Sequence, residues 1–218
     1  MKMKASVKAR VEAATVKLTQ LGGRGVLVQG GYILTAAHCI AGCIDWSSDL
    51  ERISEGYIHV ETHDRRKIRV SVCALEPVAD IAVLECADDP FLVFAEEVKG
   101  IPLYSSTLKY KQSVPVCIFG KDNRWITGEV IQVSPRIVSS VCLKYSGRIK
   151  FGDSGSPVVD GDGQLMGVFS RSGSGECGIP LAWWALPRWL TENEQGAVGP
   201  RKCPGLWRWL RAAGLQAK

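Results

Sequence analysis

Three short segments of this sequence place a reactive side chain at the edge of an apolar run: Thr35-Ala36-Ala37-His38-Cys39, Asp80-Ile81-Ala82-Val83-Leu84 and Gly152-Asp153-Ser154-Gly155-Ser156-Pro157. A serine hydroxyl is a poor nucleophile at neutral pH and needs a neighbouring base. An imidazole fills that role when a carboxylate fixes its tautomer and stabilises its charged form. Ser154, His38 and Asp80 are the candidates for nucleophile, base and orienting acid. Attack on a carbonyl creates an oxyanion that backbone N–H groups must meet in a preset geometry. The glycines around Ser154 suit such a tight backbone, with Gly152 and Ser154 as the expected donors. His38 alone would read as a buried structural histidine and Asp80 alone as a strand-end acid. Their joint occurrence with Gly-Asp-Ser-Gly-Ser-Pro is what points to acyl transfer. His59 and His63 are expected to be structural or solvent-facing. Asp45, Asp49 and Asp64 are rival partners for His38, but none begins a comparable apolar strand.

The elements that hold these groups follow from the surrounding pattern. Runs rich in β-branched residues, punctuated by glycine and polar turns, indicate an all-β barrel or sandwich. Candidate strands cover Ala14–Gln20, Gly25–Gln29, Tyr32–Thr35, Gly56–Glu61, Lys67–Leu75 and Ile81–Glu85. A second set covers Val114–Phe119, Trp125–Ser134, Ile137–Tyr145, Pro157–Asp160, Gln164–Ser170 and Ile179–Leu186. Two sets of about six strands imply two barrels, joined by the Pro- and acid-containing connector Ala87–Gly100. Gly30–Gly31 and Asp160-Gly161-Asp162-Gly163 are expected to be tight turns, where glycine accepts positive φ. Helix is expected only after Ala36, near Pro187–Glu194, and as a short C-terminal helix within Leu206–Leu215.

With 218 residues, 46% hydrophobic and 22% charged, the chain can bury a sizeable core. The net charge of +5 gathers at the two ends, which read as solvated tails. Without interleaved aromatic and basic residues, no nucleic-acid partner is expected. Met1 to Gln20 lacks the apolar stretch of a signal peptide, and no segment has membrane-spanning length, so a cytoplasmic location is expected and a membrane role is not. Eight cysteines are present, but none is spaced as in a zinc site, so reduced thiols and no metal are expected.

The three motifs resemble those of the trypsin/chymotrypsin superfamily, where TAAHC, DIAxL and GDSGxP occur in the same chain order. The stretch Gly25-Val26-Leu27-Val28 leading to Gly31-Tyr32-Ile33-Leu34-Thr35 is similar to the compact, disulfide-poor bacterial high-temperature-requirement and glutamyl-endopeptidase branches. The resemblance covers roughly Ala14 to Leu190. It implies two perpendicular six-stranded antiparallel barrels, residues 1–95 carrying His38 and Asp80 and residues 96–195 carrying Ser154, followed by a basic tryptophan-containing tail at 196–218. The active site would lie between the barrels. Each disulfide of the secreted relatives lacks a partner here: no cysteine lies between Ala5 and Ala37, and Asp160 and Lys150 stand at two other bridge positions.

In zymogen-activated relatives, the counterpart of Asp153 is met by an amine freed by cleavage. Arg10-Val11-Glu12-Ala13 weakly resembles a cleavage site, but Val11 is much nearer to His38 than the family's spacing allows. Lys150, Arg148 or a binding partner is the expected substitute. The resemblance also places Arg148, Lys150, Ser170, Arg171 and Ser172 in the substrate pocket, with Arg148 where trypsin-like relatives carry an acid that selects Lys or Arg. Poor cleavage after basic residues follows. Trp183, Trp184 and Trp189 are expected in the core, and the basic amphipathic Leu206-Trp207-Arg208-Trp209-Leu210-Arg211 is expected to pack back onto its own barrel, with docking to a partner or a membrane surface as the alternative. The function implied is a serine endopeptidase that needs no cofactor, acts on protein or peptide substrates and is controlled by a partner protein. The alternative is a catalytically silent protease-fold subunit of a larger assembly.

Overall fold

The protein was analysed as a computed structural model that describes residues 3–20, 22–43, 57–76, 80–104, 112–131, 140–170 and 177–180. The β-rich runs of the first half form β1 (Thr15–Leu18), β2 (Arg24–Val28), β3 (Tyr32–Ala36), β4 (Ile58–Glu61), β5 (Lys67–Glu76) and β6 (Ile81–Cys86). They close into an antiparallel barrel in the order β1-β2-β3-β6-β5-β4. Every residue of β2 and β3 is buried, which explains why these two strands read as continuous apolar runs rather than alternating ones. Gly30 and Gly31 turn the β2–β3 hairpin at φ 95° and 78°, a conformation that Cβ-bearing residues avoid.

In the second half, β7 (Ser113–Gly120), β8 (Arg124–Ile131), β9 (Ser140–Ser146), β10 (Pro157–Val159), β11 (Leu165–Val168) and β12 (Cys177–Pro180) form a six-stranded sheet. Its order is β11-β10-β7-β8-β9-β12. The expected second closed barrel is therefore corrected to an open sheet among the described residues. The end strands β11 and β12 have only 4 residues each, and no ladder joins them. Alternation on these strands serves two interiors. Val116, Ile118, Val158, Met166 and Phe169 pack into one cluster, while Cys117, Phe119, Val159, Leu165 and Val168 share the core of the first barrel. The interface between the halves is thus a continuation of the main core.

Two helices depart from the expectation of scarce helix. The connector folds as α2 (Asp89–Val98), with the Asp88 side chain accepting from the Phe91 N–H at 3.1 Å and Pro90 in the first turn. Asp88-Asp89-Pro90 is a legible start signal, and the expected boundary at residues 95 and 96 falls inside this helix. The charged N-terminal stretch folds as α1 (Ala5–Ala14), which buries Val11 and Ala14 and lacks a side-chain cap. It is held from outside. Trp125 Nε1 donates to Glu12 Oε1 at 2.9 Å, Arg10 Nη2 donates to the Asp162 carbonyl at 2.7 Å, and Lys8 lies over the Trp125 ring. The expected C-terminal helix, Pro187–Glu194, the tail 196–218 and Trp183, Trp184 and Trp189 lie outside the described residues. Among the described residues, no helix is long and apolar enough to cross a membrane.

Candidate active site

Strand register brings the first two groups together. On β3 and β6, Ala36 faces Ile81 and Thr35 faces Ala82, so His38 and Asp80 emerge at the same end of adjacent strands. The ladder runs one step further, with the Ala37 N–H donating to the Asp80 carbonyl at 3.0 Å. A short 3-10 turn, Ala37–Cys39, then swings the His38 side chain into the open. The His38 N–H donates to Asp80 Oδ1 at 2.8 Å, and His38 Nδ1 meets Asp80 Oδ2 at 2.8 Å. The buried Ser170 hydroxyl donates to the same Oδ2. Asp80 is buried and sits at φ 53°, an uncommon conformation that Asp tolerates better than most residues. A fixed carboxylate on Nδ1 leaves Nε2 facing the cleft, the orientation a base needs.

Ser154 arrives from the second half on the turn before β10. The Arg24 N–H of β2 donates to the Ser154 carbonyl at 2.8 Å, and the Gly155 N–H donates to the Phe169 carbonyl at 2.6 Å. Gly155 has φ 79°, and a Cβ there would stand 1.8 Å from the Arg24 carbonyl oxygen, so only glycine lets this turn seat against the first barrel. The Ser154 hydroxyl donates to the Ser170 carbonyl at 3.5 Å, and His38 Nε2 faces Cys39 Sγ at 3.7 Å. Among the described residues, His38 and Ser154 share no direct hydrogen bond, a loose arrangement common in the absence of substrate. Neither the Gly152 nor the Ser154 N–H is donated among the described residues.

Asp153 has no exposed surface. Its Oδ1 accepts from the Lys121 N–H at 2.6 Å, and its Oδ2 accepts from the Lys150 N–H at 2.7 Å and from Arg124 Nη2 at 3.0 Å. The cation is neither Lys150 nor Arg148. Lys150 contributes its backbone, while its ammonium pairs with Asp122 at 2.7 Å. Arg148 contributes its carbonyl, which accepts from Arg124 Nη1 at 2.7 Å. No local motif marks Arg124, because the pairing spans two hairpins.

A cleft of about 530 Å³ opens beside Ser154, lined also by His38, Ile149, Lys150, Phe151, Gly152, Phe169 and Ser170. Of the expected pocket residues, Lys150 and Ser170 line it and Arg148 does not; Arg171 and Ser172 lie outside the described residues. Ile149, Phe151 and Phe169 were not anticipated; Phe151 is exposed and Phe169 is buried beneath the cleft. A second cleft of about 540 Å³ lies across Gly152, and Phe151 borders both. The Cys39 thiol is pushed from an ordinary 9.0 up to about 11, first by burial and then by the Asp80 charge, against the pull of Ser154 and Thr35. Among the rivals for His38, Asp64 is instead bound to Thr62 and Arg66, which hold its carboxyl below the usual range; Asp45 and Asp49 lie outside the described residues. His59 contacts Gln20 on an exposed surface.

The arrangement is that of a chymotrypsin-like hydrolase, a barrel and a sheet meeting at a serine, a histidine and a buried aspartate. The sequence matches the Trypsin-like peptidase domain over residues 23–168, and the chain belongs to that family. The crystal structure of an inactive serine-to-alanine mutant of Rv3671c from M. tuberculosis H37Rv is similar in fold. Its TM-score is 0.57 at 17% identity, covering 91% of this chain and 98% of that one. No curated protein matches the sequence.

Proposed function

We propose that the protein is a serine endopeptidase that cleaves protein or peptide substrates through an acyl-enzyme on Ser154. His38 takes the hydroxyl proton during attack and returns it to the leaving amine, while Asp80 holds the ring and stabilises its charged form. The Gly152 and Ser154 N–H groups receive the oxyanion. The observation that carries this reading is the conjunction of a carboxylate-anchored imidazole with two N–H groups beside one serine that are not donated among the described residues. No cofactor enters the scheme. Cys39 and Cys117 are free and buried, which supports a reducing, intracellular setting. Arg10-Val11 lies within α1 with Val11 fully buried, so we assign restraint of the activity to a binding partner rather than to cleavage at this site.

The test is labelling with a fluorophosphonate and digestion of a denatured protein mixture by wild type and Ser154→Ala, reading new termini by mass spectrometry. Labelling and cuts unique to wild type are expected. Their absence in wild type would favour a silent protease-fold subunit.

A further inference from the structure

We propose that the second cleft, across Gly152, is a carboxylate-binding subsite for the part of the substrate that follows the scissile bond, with Arg24 and Lys121 as its cations. The inference deepens the peptidase reading and rests on it for which part of the substrate enters. Phe151 and Gly152 border both clefts, so a chain whose scissile carbonyl meets the Gly152 N–H has a cleft on either side. Lys150 and Ser170, which the family resemblance places in the pocket for the residue before the scissile bond, line the first cleft. The second is left for the leaving side.

Charge decides what that cleft accepts. Both of its acids are already paired: Glu61 Oε1 accepts from Lys17 Nζ at 3.1 Å, and Asp122 Oδ2 accepts from Lys150 Nζ at 2.7 Å. Among the described residues, the Arg24 and Lys121 side chains have neither a hydrogen bond nor an ion pair. Arg24 is only 4% exposed, and its guanidinium lies 5.1 Å over the Phe119 ring. Burial pulls its pKa down, against the opposing pull of Asp153 and Asp122, yet a guanidinium stays protonated in a protein. A buried cation without a bonded counter-charge is costly. A carboxylate is the planar, two-oxygen acceptor that its fork fits. Lys121 is exposed, and a Cβ on Gly152 would stand 3.8 Å from its Nζ, so this ammonium flanks Gly152 where the two clefts meet. Arg24 thus selects a carboxylate by shape and charge, and Lys121 adds a solvent-screened attraction.

The experiment compares wild type, Arg24→Met and Lys121→Gln as full chains, each checked for folding by circular dichroism. Substrates are fluorogenic peptides built on a cut mapped in the denatured-protein digest, ending after the scissile bond in Ala-Glu amide, Ala-Gln amide or Ala-Gln free acid. The readout is kcat/KM relative to the Ala-Gln amide, a ratio that cancels any general loss of rate. In wild type, at least one carboxylate peptide should exceed the amide about tenfold or more, the scale of a charge-assisted hydrogen bond. A rise with Ala-Glu amide identifies an acidic side chain as the ligand; a rise with the free acid identifies a chain terminus. Arg24→Met should bring the ratio close to one, and Lys121→Gln should lower it about threefold, as for an exposed charge. Proton–nitrogen NMR of Ser154→Ala supplies a readout independent of activity: Ala-Glu amide or Ala-Gln free acid should shift the Arg24 Nε–H signal, and Ala-Gln amide should not. If wild type cleaved nothing, the peptidase reading would fall while the NMR still decided the anion site. The proposal would be overturned by ratios near one for both carboxylate peptides in wild type, by an unchanged ratio in a folded Arg24→Met, or by an Arg24 signal that neither carboxylate dipeptide moves. If Arg24→Met did not fold, the wild-type ratios and the Arg24 signal would decide it alone.

Discussion

The two halves of the molecule hold their shares of the site by different means. In the closed barrel, His38 and Asp80 stand where the paired strands β3 and β6 end, and the register that packs the core also sets their distance. In the open sheet, Ser154 stands on a turn whose shape depends on glycine backbone, a buried carboxylate and one arginine. Strand ladders position groups cheaply when those groups sit at strand ends, whereas a turn carrying two N–H donors needs side-chain scaffolding. Mutation should therefore separate chemistry from architecture in the first half and couple them in the second.

The largest effect on rate should come from Asp80→Asn, which keeps the buried shape but stabilises the wrong imidazole tautomer. A loss of about 10⁴-fold in kcat is expected, with a far-ultraviolet spectrum like wild type; a loss below tenfold would remove Asp80 from the mechanism. The largest effect on stability should come from Gly155→Ala, whose added methyl collides with the Arg24 carbonyl. Destabilisation on the order of 4 kcal/mol, the upper end for a single substitution, should appear in urea denaturation. Gly31→Ala is the matched test in the barrel, since its Cβ would meet nothing within 4 Å and only the positive φ is strained. It should cost about 1 kcal/mol and leave activity intact. Comparable losses at the two glycines would show that contact between the halves is not what seats the Ser154 turn.

A smaller effect follows from Cys39. Its proton is held up to about 11 in the folded chain against an ordinary 9.0, so the unfolded chain ionises first. Stability from this group is complete below pH 9 and declines as pH climbs toward 11. Cys39→Ala should flatten that part of a stability profile measured by thermal melts. The smallest effect on rate is that of Asp88→Ala at the start of α2, remote from the chemistry. It should cost about 1 kcal/mol without changing kcat.

The contrast between the halves also explains what could be read from the sequence. His38, Asp80 and Ser154 each sit in a contiguous motif that encodes local backbone, and β-branched runs bounded by glycine and polar turns carried most of the strands. Arg124 was not legible, because its partners Arg148 and Asp153 meet it only after two hairpins fold. Helix α1 was missed for a related reason. Its mixed charges give no clear apolar face, and it is fixed by Trp125 and Asp162 far along the chain. Closure of the second barrel was expected from strand count and from the family resemblance, neither of which fixes whether the edge strands pair; among the described residues no ladder joins β11 to β12.

Phe151 stands on the ridge between the two clefts with 92% of its surface open to water. An apolar ring held in solvent at such a position has a calorimetric consequence. Any substrate or inhibitor that crosses the ridge removes that ring from water and so binds with a more negative heat-capacity change than a ligand confined to one cleft, which covers less of it. The temperature slope of a binding enthalpy would then report which ligands span the scissile position and which stop short of it.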